Sequence, residues 1–115
     1  MKIAIYHNPK CSNSRGALAL IREAGHAPDV VEYLNTPLSR AELAALVARM
    51  GVSARDIVRT KETVFAELGL DGASDEALLD AIAAHPVLLN RPIVVTERGA
   101  RLCRPPECVM ELLAG

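Results

Sequence analysis

The amino-acid order predicts an α/β fold: a four-stranded mixed sheet whose two halves are separated by an inserted block of helices. Three observations predict it. A β-α-β pattern opens the chain, capped helical stripes fill positions 39–89, and an apolar hairpin followed by a proline-initiated helix closes it. The 115 residues suit one domain spanning 1–115, since domains of roughly 100 to 150 residues are the commonest.

The first strand is read from the alternation of Lys2 to Tyr6, which stops at His7-Asn8-Pro9. Ser14 to Ala24 then places Ala17, Leu18, Ile21 and Ala24 at helical spacing, with Gly25 as the stop. Pro28 introduces the β-branched stretch Asp29 to Leu34, ended by Asn35-Thr36-Pro37, and this second strand completes a βαβ unit. Ser39 and Glu42 form a capping box for a helix with Leu43, Leu46, Val47 and Met50 on one face and Gly51 at its end. Ser53 with Asp56 opens a further short helical piece, Lys61 to Leu68 reads as helical, and Ser74 caps Asp75 to Ala84 with Leu78, Leu79 and Ile82 inward. Pro92 to Thr96, a turn over Glu97 to Ala100 and Arg101 to Cys103 make a hairpin, and Pro105-Pro106 opens a last helix reaching Ala114. A βαβ unit supplies parallel strands and a terminal hairpin antiparallel ones, so the whole order is that of a thioredoxin-like sheet.

Composition removes several function classes. Aromatic residues make up 3% of the chain (Tyr6, Tyr33 and Phe65), too few for a platform that stacks nucleobases. The net charge of −1 supplies no field to draw in a polyanion, so no nucleic-acid partner is expected. The longest uncharged run, Ala81 to Asn90, is half the roughly 20 residues a membrane span needs, and Ile3 to Tyr6 is too short for a secretory core. A cytoplasmic protein is expected. Three cysteines, an odd number, argue against a disulfide framework and for reduced thiols. His7, His26 and His85 lack ligand spacing, so no metal is expected, and neither a Walker-type loop nor a Gly-x-Gly-x-x-Gly motif is present.

Cys11 is the residue whose position carries chemistry. It lies between the first strand and the first helix, where unpaired backbone N–H groups and the helix dipole favour an anion, and His7, Lys10 and Arg15 are close in sequence. Ser14 stands where a dithiol oxidoreductase carries its second cysteine, so an oxidised or substituted Cys11 must be rescued by Cys103, Cys108 or an outside thiol. Cys103 and Cys108 lack such surroundings and read as structural. Position 17 is Ala17, which excludes a Cys-x5-Arg phosphate loop. Of the basic residues ten are Arg and three Lys, and Arg suits forked bonding of oxyanions. Arg59, Arg91 and Arg104 each border a structured element, and in a thioredoxin-like layout the segment before Pro92 runs past the cysteine loop. Together with Cys11 they point to a thiolate that attacks a small oxyanion.

Five separated blocks carry a resemblance: Ile5 to Arg15, Arg59-Thr60-Lys61-Glu62, His85-Pro86, Asn90 to Val94 and Cys103 to Glu107. In these the chain resembles the glutaredoxin-coupled arsenate reductases, along nearly all its length. The resemblance implies Cys11 as nucleophile, His7 favouring its thiolate, Ser14 and Arg15 supporting the loop, and Arg59, Arg91 and Arg104 holding the oxyanion. It implies a cis peptide before Pro92, opposite the thiol. It also implies arsenate as substrate, no bound cofactor, glutathione as co-substrate and glutaredoxin as the reducing partner. The loop departs from the best-known members at Ser12-Asn13, where they carry a smaller residue first, and the chain ends at Gly115 without the extension of longer members. Two alternatives belong to the same fold. An Spx-like transcription regulator would carry a Cys-x-x-Cys switch and lack the arginine before the last helix, whereas this chain has Ser14 and Arg104. A general glutathione-dependent thiol reductase would need no oxyanion site.

Overall fold

The computed structural model describes residues 1–113, so the expected helix end at Ala114 lies outside the described residues. The chain divides into two compact units, one formed by Met1–Thr36 with the segment from Arg91 onward, the other by Pro37–Asn90.

The first unit is built on the mixed sheet. Strand β1 (Ala4–His7) pairs in parallel with β2 (Asp29–Glu32) and antiparallel with β3 (Ile93–Thr96), which pairs antiparallel with β4 (Gly99–Leu102). The sheet order is therefore β2-β1-β3-β4. Alternation along β1 turns Ile5 and His7 inward, and helix α1 (Ser12–Glu23) buries Ser14, Ala17, Leu18 and Ile21 at the helical repeat. Ile3, Ile5, Val94, Cys103, Val109 and Leu112 complete this core. Burying an aliphatic side chain of this size contributes about 1.5–3 kcal/mol.

The sheet order and the parallel β1–β2 pair match the predicted class, and the differences are local. Helix α1 begins two residues before the predicted start at Ser14, because Cys11 itself takes the extended N-cap conformation (φ −92°, ψ 123°). Strand β2 ends at Glu32, whose carbonyl accepts the N–H groups of Asn35 and Thr36 and turns the chain. The hairpin turn is shorter than predicted: Thr96 pairs with Gly99, leaving only Glu97 and Arg98 between the strands. Thr96 Oγ1 accepts the Arg98 N–H at 3.0 Å, and Gly99 opens β4 at φ 149°, a conformation side chains disfavour. The final segment is a 3₁₀ turn, Pro106–Val109, continuing into the short helix α5 (Met110–Leu113), in place of one continuous helix.

The helical unit follows its capping signals. In α2 (Arg40–Met50) the reciprocal Ser39–Glu42 box is formed, and Gly51 at φ 70° ends the helix. A 3₁₀ turn at Ala54–Ile57 precedes α3 (Thr63–Glu67), which starts two residues after the expected Lys61. Helix α4 (Asp75–Ala84) is capped by Ser74 and buries Leu78, Leu79, Ala81 and Ile82. Arg40 ties α2 to α4 by bonding Glu76 and, at 2.7 Å, Asp80. A 3₁₀ turn at Pro86–Leu88, unmarked by periodicity, leads to an isolated bridge between Val58 and Leu89.

Candidate active site

The Cys11 loop is held by its own backbone. The Cys11 N–H donates to the Asn8 carbonyl at 3.0 Å, the Lys10 N–H donates to Asn8 Oδ1 at 2.9 Å, and Arg15 Nη1 donates to the Pro9 carbonyl at 2.9 Å. Asn8 thus closes the turn twice, a Lys10 bond of the Asx type among them. Its part went unassigned in the sequence, although Asn-Pro marked the turn.

One floor of the loop is a polar knot inside an apolar core. Ser14 begins the buried stripe of α1 and is wholly inaccessible, and His7 ends the buried face of β1. The two meet at 2.6 Å between His7 Nδ1 and Ser14 Oγ, and the same hydroxyl accepts the Asn8 N–H at 3.0 Å. Ser14 therefore fastens strand, loop and helix together. Burial lowers the pKa of His7, opposed by Glu32 beside it on β2 and reinforced by Arg22 and Arg15. Burial thus favours the neutral imidazole, and His7 meets the loop through Ser14.

The sulfur of Cys11 is 9% exposed as part of its residue, and burial works against its ionisation. That effect is outweighed. The Ser14 and Asn13 N–H groups and the Arg91 guanidinium bond the sulfur, and the net result is a thiol more acidic than usual. Arg104 reaches the same atom from the segment after β4, with Nη1 3.6 Å from Cys11 Sγ. Arg104 Nη1 also donates to the Arg91 carbonyl at 2.9 Å, so the two arginines are fastened to each other as well as to the thiol. The Arg91–Pro92 peptide is cis, and so is Arg104–Pro105.

Cys11, Arg91 and Arg104 are thus brought together, with His7, Ser14 and Arg15 bracing the loop beneath. Arg59 belongs to the helical unit. Its N–H bonds the Leu88 carbonyl at 2.7 Å, its Nε meets Glu62 Oε1 at 3.1 Å, and its Nη1 reaches Asn90 Oδ1 at 3.4 Å. The other two cysteines are also free, Cys103 buried and Cys108 half-buried. Cys103 is fully buried, and burial first of all pushes its thiol up to about 12. Among the described residues no three metal-binding side chains come together, and no helix is long and apolar enough to cross a membrane.

Such a site can do two things: keep a sulfur anionic, and present a pair of cationic forks to whatever approaches it. Known proteins resemble the chain that carries it. The sequence profile of the ArsC family matches residues 6–112. An arsenate reductase of Rhizobium meliloti is 56% identical over 98% of this chain and 82% of its own length. One of Escherichia coli K12 is 50% identical over 96% of this chain and 80% of its own. Among solved structures, an arsenate reductase from Vibrio cholerae superposes with a TM-score of 0.92 at 48% identity, covering 96% of this chain and 97% of that one.

Proposed function

Because this chain belongs to the ArsC family, we propose that it reduces arsenate to arsenite through a covalent adduct on Cys11. The observation that carries this reading is the convergence of Arg91 and Arg104 on the Cys11 sulfur at the start of α1. Arsenate near neutral pH is a tetrahedral dianion, so an approaching thiolate meets like charge, and preorganised guanidinium groups remove that barrier by binding the oxygens. Arg59 is proposed as a third oxyanion donor, already ordered by Glu62 and Asn90.

In the proposed cycle Cys11 Sγ forms a bond to As(V) while one arsenic oxygen leaves as water after taking up protons. Glutathione displaces a second oxygen in the same way. A thiol of glutaredoxin then attacks the glutathione sulfur. The S–As electron pair passes to arsenic, As(V) becomes As(III), and a mixed disulfide between glutathione and glutaredoxin leaves. Hydrolysis of the remaining S–As bond frees arsenite and the Cys11 thiolate. Two thiols are oxidised to one disulfide for each arsenic reduced, and Cys11 ends as it began. That the reducing thiols come from outside is supported by the free state of Cys103 and by the burial that keeps its thiol protonated. A cytoplasmic location fits this dependence on reduced glutathione.

The test couples glutathione reductase, glutathione and glutaredoxin to NADPH oxidation. Oxidation that requires arsenate, glutaredoxin and Cys11 together is the expected result. A rate indifferent to arsenate would point to a general thiol reductase.

A further inference from the structure

Five residues after the nucleophile, the interior of α1 holds Gly16, where alanine would favour the helix. Gly16 is absent from the glycines with positive φ, so no left-handed turn calls for it. It faces Pro106. A Cβ added at position 16 would lie 3.1 Å from Pro106 Cγ and 3.2 Å from Pro106 Cβ, inside the usual carbon–carbon separation of about 3.5–4.0 Å. The backbone of α1 therefore packs directly on the 3₁₀ turn that Pro106 opens.

Pro106 is two residues beyond Arg104, and the rings of Pro105 and Pro106 restrict φ along the connection. Helix α1 thus meets this one segment at two places: through Cys11, whose sulfur receives Arg104 Nη1 at 3.6 Å, and through the bare backbone at Gly16. We infer that Gly16 is a positioning residue for the reaction: its missing side chain sets how closely the Arg104 segment approaches the thiolate. This rests on the arsenate reading. A methyl group at position 16 forces Pro106 outward by a few tenths of an ångström, and the proline-stiffened segment passes the shift to Arg104. The ionisation of Cys11 should be spared, because it draws on the Ser14 and Asn13 N–H groups and on Arg91.

The experiment compares the wild-type chain, Gly16→Ala and Gly16→Ala/Pro106→Ala in the coupled arsenate assay and in alkylation of Cys11 by iodoacetamide across pH. Gly16→Ala should lose about tenfold in kcat/KM for arsenate, with the rate and pH midpoint of alkylation unchanged. The double variant lacks the ring carbon nearest position 16 and should recover most of that loss. Equal kcat/KM in Gly16→Ala, a parallel fall in alkylation, or a folded double variant with no recovery would each overturn the inference. If Gly16→Ala does not fold, the double variant is compared with Pro106→Ala: equal turnover supports the pairing, and much lower turnover overturns it. A wild-type chain without arsenate turnover would overturn the functional reading itself, and the inference with it.

Discussion

Cys11 sits where two opposing effects meet, burial against ionisation and three donors in its favour, and the donors prevail. Cys11→Ser should abolish turnover, while Cys103→Ser and Cys108→Ser should keep most of it, measured in the coupled assay. Thiolate absorbance followed against pH in the Cys103→Ser/Cys108→Ser variant should place the Cys11 midpoint below that of an ordinary thiol. A midpoint at the ordinary value would remove the activation. Arg104→Ala should lower arsenate kcat/KM by about 10² to 10³, as loss of a preorganised donor does, and leave alkylation by neutral iodoacetamide nearly unchanged. Arg104→Lys should recover only part, since an ammonium keeps the charge but cannot present a planar fork to the oxyanion. Cys11 was legible in the sequence because its advantage is local, a strand end followed at once by a helix start. The bonds made by His7 were not, because they depend on which face of β1 turns toward which face of α1. Chain proximity suggested His7 as a cation or hydrogen-bond donor favouring the thiolate, and packing places its Nδ1 2.6 Å from Ser14 Oγ, in a burial that lowers its pKa.

Helices here were read most surely where side chains cap the backbone. The Ser39–Glu42 box satisfies two N–H groups that α2 would otherwise leave to water, so Ser39→Ala should cost about 1 kcal/mol and lower the melting temperature by several degrees. An unchanged melting curve would mean that tertiary packing alone holds the start of α2. The hairpin was less legible, because Gly99 alone of residues 97–100 favours a turn and the strand boundary is decided by pairing. Gly99 reads as a turn residue, yet it pairs with Thr96 as the first residue of β4. The 3₁₀ turns at 86–88 and 106–109 are too short to leave a periodic trace, and proline announces both only as a break.

For the whole molecule, the mixed four-stranded sheet could be read because a βαβ unit and a terminal hairpin permit few arrangements. The inserted helical block read at 39–89 corresponds to the second compact unit, Pro37–Asn90, although no linker composition marks its ends, and the first unit is assembled from both ends of the sequence. Global stability should carry the mark of His7. Burial holds its folded pKa below the ordinary imidazole value of 6.5, so the unfolded chain binds the proton more readily. Stability is then fully present above that value and is lost as pH falls from it through the folded pKa. Urea midpoints should decline over this window in the wild-type chain and decline less in His7→Gln. Equal declines would assign the acid sensitivity to other groups.

The hydroxyl of Ser14 occupies the one place from which a neighbouring cysteine could have relieved Cys11, and it is already spoken for by His7 and by the Asn8 N–H. A sulfur there is bulkier and a weaker acceptor, so Ser14→Cys should loosen the loop rather than produce a self-sufficient dithiol enzyme. The molecule is in this sense half of a machine. If the proposed cycle holds, a fall in reduced glutathione would leave the fold intact while turnover stops, and the Cys11 adduct would wait for an outside thiol. Its output would then track the thiol supply of its surroundings more closely than its own abundance.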